Sequence, residues 1–274
     1  MMRPRAAISN IAWPAEADDE ALDLAVTLGF SGIELAPAKV FGPPDTADPD
    51  AVERYREALQ ARGLTVPALQ AILFGVADAH LFGSPEARER LAVRLARVAE
   101  IAGALGAGAC VFGSPGLRDP GDRPAEDAMA IAMEFFAEMA PRFDANDTTL
   151  AFEANATIYD CRFITHTHEA MRLVSEVDRK GFGLQLDLGT VFANREDTDT
   201  LIAAARLAAH CHASEPHLVP LGSGGHDHAR AGDALRQAGY DGWISVEMKA
   251  TPDWQTAMRA AAHVLDRHYG AGGS

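Results

Sequence analysis

Four residues able to do chemistry together recur at a regular interval along this chain: Glu153, Asp187, His212 and Glu247. They are separated by 34, 25 and 35 positions, each roughly one strand-plus-helix unit. Each lies in a short run where polar and apolar residues alternate. Ala151, Glu153 and Asn155 alternate with Leu150, Phe152 and Ala154, and Gln185 and Asp187 with Leu184, Leu186 and Leu188. His210, His212 and Ser214 alternate with Ala209, Cys211 and Ala213, and Ser245, Glu247 and Lys249 with Ile244, Val246 and Met248. Side chains on a strand change face at every residue, so each run has one apolar and one polar face. Helices packed outside such strands take the apolar face, which leaves the polar one inside. Three carboxylates brought together repel strongly and must protonate unless a cation joins them. One divalent ion resolves the conflict. Oxygen donors with a single imidazole suit Mn²⁺ foremost, or Mg²⁺, with Co²⁺ and Zn²⁺ as further candidates. The plainer alternative is four unrelated side chains, each solvated or paired with an arginine. Their shared parity in successive strands favours the common ion.

The elements that must position these residues are legible as eight short apolar runs: Ala6–Trp13, Gly32–Pro37, Thr65–Leu73, Ala109–Pro115, Thr149–Asn155, Phe182–Gly189, Ala208–Ser214 and Trp243–Lys249. Between them lie helical patterns. Asp48-Pro49, Ser84-Pro85 and Thr251-Pro252 open helices, and Gly63 and Gly106 close the first two. Eight strands alternating with helices over 274 residues predict an α/β fold, a single-domain (β/α)8 TIM barrel. A doubly wound open sheet usually carries a G-x-G-x-x-G turn after its first strand, where this chain has Ile11-Ala12-Trp13-Pro14. The polar strand ends then meet at the C-terminal mouth of the barrel, where such folds place their chemistry. Gln70, Asn155 and Lys249 end strands with the same parity and are expected to rim the pocket. A Schiff-base role for Lys249 would leave the acids unexplained. His166 and His168 read as helix-start residues, the three cysteines as small buried ones, and Met133, Phe136 and Met139 as core.

Composition narrows the partners. With 24 Lys+Arg against 39 Asp+Glu, the chain has a formal charge of −15, which opposes binding to nucleic acid or an anionic membrane. Three cysteines make no disulfide framework, Met1 to Trp13 is too short in apolar residues for a signal peptide, and no run reaches a membrane span. A cytoplasmic protein with a small-molecule substrate is expected; a homo-oligomer is compatible with this reading.

The strand ends Phe152-Glu153-Ala154-Asn155, Leu186-Asp187-Leu188-Gly189, His210-Cys211-His212-Ala213-Ser214-Glu215-Pro216 and Ser245-Val246-Glu247-Met248-Lys249 resemble those of the sugar phosphate isomerase/epimerase superfamily. These xylose-isomerase-like TIM barrels include ketose 3-epimerases, hydroxypyruvate isomerases and inosose dehydratases. The resemblance extends to Gly29–Glu34 and to Val111-Phe112-Gly113-Ser114-Pro115. It implies that Glu153, Asp187, His212 and Glu247 bind one divalent ion. It also implies that Glu153 and Glu247 double as catalytic acid and base on a keto-sugar, polyol or cyclitol, through a metal-stabilised enediolate. Two positions depart from the ketose epimerase pattern: Thr190 stands where a histidine is usual and Leu218 where an arginine is usual. His226, Asp227 and His228 offer replacement substrate contacts, His228 foremost. The nearest alternative is a lyase dehydrating an inosose- or dehydroshikimate-like substrate after the same first step. An abasic-site endonuclease needs more histidines than Gln70, Ser114 and Thr190 supply, and a non-catalytic barrel leaves the intact ligand set without a purpose.

Overall fold

The computed structural model describes residues 4–270; the first three residues of the N-terminal segment lie outside them. Eight parallel strands follow one another: β1 (Arg5–Ser9), β2 (Gly32–Glu34), β3 (Ala68–Leu69), β4 (Ala109–Phe112), β5 (Thr149–Glu153), β6 (Phe182–Asp187), β7 (Ala208–Ser214) and β8 (Trp243–Glu247). Each pairs with its neighbours in chain order, and β8 pairs with β1. Single bridges from Gly32 to Thr65 and from Leu35 to Leu69 join β2 to β3 and complete the circuit. The expected (β/α)8 barrel is therefore present. Its helices are α1 (Asp18–Thr27), α2 (Pro37–Phe41), α3 (Pro49–Ala61), α4 (Pro85–Leu105), α5 (Ala125–Asp144), α6 (Thr167–Val177), α7 (Leu188–Asn194), α8 (Thr198–Leu207), α9 (His228–Ala238) and α10 (Trp254–Val264).

Local chemistry sets these boundaries. Asp48 accepts a hydrogen bond from the Asp50 amide and Ser84 one from the Ala87 amide, each ahead of a first-turn proline. Gly106 ends α4 at φ 71°, a conformation that costs a glycine nothing. For α10 the cap is Asp253 rather than Thr251, its carboxylate accepting from Thr256 N. Seven of the eight strands are shorter than their apolar runs. The Thr65–Leu73 run keeps only two residues as regular strand, because Pro67 has no N–H for the ladder.

The apolar faces meet the helices as expected. Phe112, Phe136, Phe152 and Phe182 lie between α5 and the sheet, with contacting ring centroids 4.9 to 6.4 Å apart. Burying an aromatic side chain of this size stabilises the fold by about 2–3 kcal/mol. Inside the barrel the pattern is different. Ala68, Ala109 and Ala151 form a separate small apolar cluster, and Ser9, Gln70, Gln185, His210 and Ser245 are buried polar residues, Gln70 bonded to Ser9 and His210 to Ser245. No helix among the described residues is long and apolar enough to cross a membrane.

Candidate metal centre

Register brings the four predicted residues together. β5, β6 and β8 end at Glu153, Asp187 and Glu247, and His212 lies two residues before the end of β7. Asp187 pairs in register with His212, and Glu247 with Ser214. One donor atom from each of the four lies within 4.8 Å of every other. His212 is fully buried. Its Nδ1 stands 3.3 Å from Glu153 Oε1 and 3.2 Å from Glu247 Oε2, yet it has no hydrogen-bond partner among the described residues.

The acids are held by different means. Asp187 caps α7, accepting from the amides of Gly189 at 3.3 Å and Thr190 at 2.8 Å and from the Ser214 hydroxyl. Glu153 Oε2 accepts from Asn155 Nδ2 at 2.6 Å. Asn155 is fixed in turn by Arg118, which donates to its Oδ1 at 2.7 Å, to the Glu153 carbonyl at 2.9 Å and to the Phe163 carbonyl at 3.0 Å. The Arg118 guanidinium is wholly buried and lies 4.7 Å above the Phe152 ring. Gly113 leaves the room this needs: a Cβ there would come within 2.6 Å of Glu153 Oε2.

Burial pushes Asp187 above the usual carboxylate range, reinforced by the Glu153 charge; burial also raises Glu247. For His212, burial opposes the charged form, but Glu34 and Glu247 outweigh it and lift the imidazole well above its ordinary value. Each of these three groups therefore holds a proton more tightly than it would in water. A divalent ion is the natural replacement for them, and an unpartnered imidazole nitrogen facing two carboxylates is a donor set that fits one.

A cavity of about 370 Å³ opens over this cluster, lined by Glu153, Asp187 and Glu247 together with Gln70, Asn155, Tyr159 and Leu218. Of nine non-glycine residues with positive φ among the described residues, Ala71, Ser114, Asp160 and Leu218 line it. Strained backbone is thus gathered at the mouth, where the surrounding structure has to hold it in place.

Two sequence expectations are corrected. Lys249 does not rim the cavity: β8 stops at Glu247, so strand parity no longer governs Lys249, which is exposed with its amide bonded to the Leu218 carbonyl. His228, expected at the substrate, lies away from the cavity. It is buried at the start of α9, with Nε2 3.1 Å from Glu215 Oε1 and Nδ1 2.6 Å from Tyr269 Oη, outside the cavity lining. Gln70 and Asn155 are brought to the cavity as expected. Thr190 donates to the Ala154 carbonyl at 3.1 Å, tying α7 to the end of β5.

Three contributors escaped the sequence reading: Glu34, Arg118 and Tyr159. Glu34 carried the same signal as the ligands, a carboxylate at a strand end of inward parity. Arg118 and Tyr159 sit in 3-10 turns or just after them, where no periodicity marks a side chain's direction.

A family model described as xylose isomerase-like TIM barrel matches residues 22–268. The chain belongs to that family. Among solved barrels of similar fold is an L-ribulose 3-epimerase, at 19% identity and a TM-score of 0.82, with 98% of this chain and 95% of that one covered. A 3-keto-D-glucoside 4-epimerase from E. coli is similar at 18% identity and a TM-score of 0.78, covering 98% and 100%. A third, the IOLI protein with a bound zinc atom, is similar at 16% identity and a TM-score of 0.74, covering 97% and 99%. No curated protein matches this sequence. At these identities the solved structures establish the xylose isomerase-like fold alone.

Proposed function

We propose that this barrel is a divalent-metal-dependent isomerase or epimerase of a small keto-sugar, polyol or cyclitol. The observation that carries the reading is His212 Nδ1, buried and unpartnered among the three carboxylates. Glu153, Asp187, His212 and Glu247 would hold the ion, Mn²⁺ foremost, and when bound it supplies Lewis-acid polarisation of a carbonyl and its neighbouring hydroxyl. The protein's own groups then move the proton. Glu153 and Glu247 both border the cavity and enter from β5 and β8, with β6 and β7 between them. One removes a proton from the carbon beside the carbonyl, leaving an enediolate. The other returns one, to the opposite face for epimerisation or to the next carbon for isomerisation. The raised Glu247 suits this work, since a carboxyl group nearer neutrality both donates and accepts. Asn155, anchored by Arg118, keeps Glu153 aimed, and Gln70 offers an amide to substrate oxygens.

A lyase would add an acid beside the leaving hydroxyl. His228, the histidine the sequence offered foremost to the substrate, is outside the cavity lining and supplies no such acid, so the isomerase reading leads. The test is proton NMR of keto-sugars and inososes incubated in D₂O with Mn²⁺-loaded protein. Deuterium is expected at a carbon next to a carbonyl and absent with Glu247→Gln. Failure to bind stoichiometric metal overturns the reading.

A further inference from the structure

Behind His212, on the side away from the three ligand carboxylates, lies a fourth that takes no part in the cluster. Glu34 ends β2 with no solvent exposure. Its Oε1 is 2.9 Å from His212 Nε2 and 3.3 Å from His210 Nε2, and its Oε2 has no hydrogen-bond partner among the described residues. Those two histidines are its ion-pair partners among the described residues. A buried carboxylate held only by imidazoles is costly, and it does not serve the packing of the outer core. We infer that Glu34 is a positioning residue for the metal centre: it accepts the Nε2 proton of His212 and so commits the imidazole to presenting Nδ1 to the cation. The inference rests on the metal reading above and adds how the ligand is oriented.

The imidazole's tautomer decides which nitrogen can bind the ion. A neutral imidazole carries one proton, and the nitrogen that keeps it cannot bind a metal. A carboxylate 2.9 Å from Nε2 holds the proton there, because an ionised carboxylate can only accept. Nδ1, which stands 3.3 Å from Glu153 Oε1 and 3.2 Å from Glu247 Oε2, is then the nitrogen whose lone pair is free for the cation. The negative charge behind the ring also makes Nδ1 a stronger donor. Glu34 is itself steadied from the next strand layer: Ser245 Oγ lies 3.0 Å from His210 Nε2, which places that imidazole against the same carboxylate oxygen.

Two measurements decide this. The first reads the unaltered protein. In Mg²⁺-loaded protein with ¹⁵N-labelled histidine, long-range ¹H–¹⁵N spectra are expected to show His212 protonated at Nε2, with that proton far downfield and Nδ1 bare; a His212→Gln sample assigns the signal. The second is Mn²⁺ affinity by electron paramagnetic resonance of the free ion. One equivalent per chain is expected, bound about 10- to 100-fold more weakly in Glu34→Gln, with the Nε2 proton shifted upfield. A proton on Nδ1 overturns the inference, as does unchanged affinity in both Glu34→Gln and Glu34→Leu. Two equivalents in the unaltered protein, one of them lost in Glu34→Gln, also overturn it, by placing a second ion among Glu34, His210 and His212. The metal reading survives unchanged affinity and a second ion, and a proton on Nδ1 removes His212 from the ligand set and leaves the three carboxylates; it fails if the unaltered chain binds no metal, and this inference then falls with it.

Discussion

The two halves of the barrel are built from the same repeating unit but contribute differently to its mouth. From β5 to β8 the strands run five to seven residues, and each carries one member of the metal cluster at or near its end. From β1 to β4 they run two to five residues and end in Ser9, Glu34, Leu69 and Phe112, with Gln70, Gly113 and Ser114 following. Long, well-paired strands fix their last side chains firmly, which carboxylates need if they are to be held close against their repulsion. Short strands followed by irregular backbone supply shape and room instead. Charge is concentrated in one half and space in the other, and Glu34 is the exception that reaches across to steady His212.

The largest expected effect tests that division directly. Glu153→Gln and Glu247→Gln should each lower the rate of solvent-proton exchange into substrate by about 10³-fold, the contribution of a positioned acid or base. Initial rates by NMR at saturating Mn²⁺ check it. A loss of similar size from any neutral residue following β1 to β4 would break the comparison.

Next comes the space that the first half provides. An added methyl at Gly113 meets Glu153 Oε2 at 2.6 Å and Asn155 Oδ1 at 3.2 Å, so Gly113→Ala must turn Glu153 away from the cluster. Mn²⁺ affinity measured by calorimetry is expected to fall about 10- to 100-fold, as for other disturbed ligand supports. Retained affinity would mean that Glu153 does not need the position it occupies here.

These contrasts explain what was legible in the sequence. Strand alternation exposed Glu153, Asp187, His212 and Glu247 because inward parity is a local property, and a regular unit length makes the barrel readable in the same way. The alternation stops being informative where the strand stops. Asn155 and Lys249 both follow a ligand glutamate by two residues, yet Arg118 draws Asn155 into the site while Lys249 turns to solvent. His228 is directed by Glu215 and Tyr269, from segments 13 and 41 residues away, and no local pattern encodes such a partner. Arg118 is hidden for the same reason: its acceptors lie on β5 and beyond it.

A third effect comes from protons. Asp187, Glu247 and His212 all have raised pKa values in the fold, so a bound cation must displace what they hold. Mn²⁺ affinity is therefore expected to rise with pH, by up to about tenfold per unit for each proton released, with proton release visible as a buffer-dependent heat. The stability consequence has a definite sign. Groups raised on folding stabilise the metal-free protein below their unfolded pKa and lose that contribution as pH climbs through the folded value. Metal addition should accordingly raise Tm more at pH 8 than at pH 6. Glu34 and Glu215 act in the opposite sense, being lowered by their histidines against the cost of burial, and they withdraw stability on acidification. A Tm gain from metal that is independent of pH would show that the cluster holds no displaceable proton.

The smallest effect is expected on the half that supplies no ligand to the cluster. Gln70 is buried at the cavity edge, and its Nε2 donates to Ser9 Oγ at 2.6 Å, which leaves its carbonyl oxygen and second amide proton for a ligand. One neutral hydrogen bond contributes about 1 kcal/mol, so Gln70→Ala should raise KM about fivefold and leave kcat nearly unchanged, the signature of binding lost equally in ground and transition states. Ser9 loses the same partner, and its hydroxyl remains within reach of the Ile11 amide, so the first strand should keep its course. Steady-state kinetics on whichever substrate shows exchange separates the two constants. If kcat fell with KM unmoved, Gln70 would be contributing in the transition state, and chemistry would have to be shared between the two halves rather than confined to the charged one.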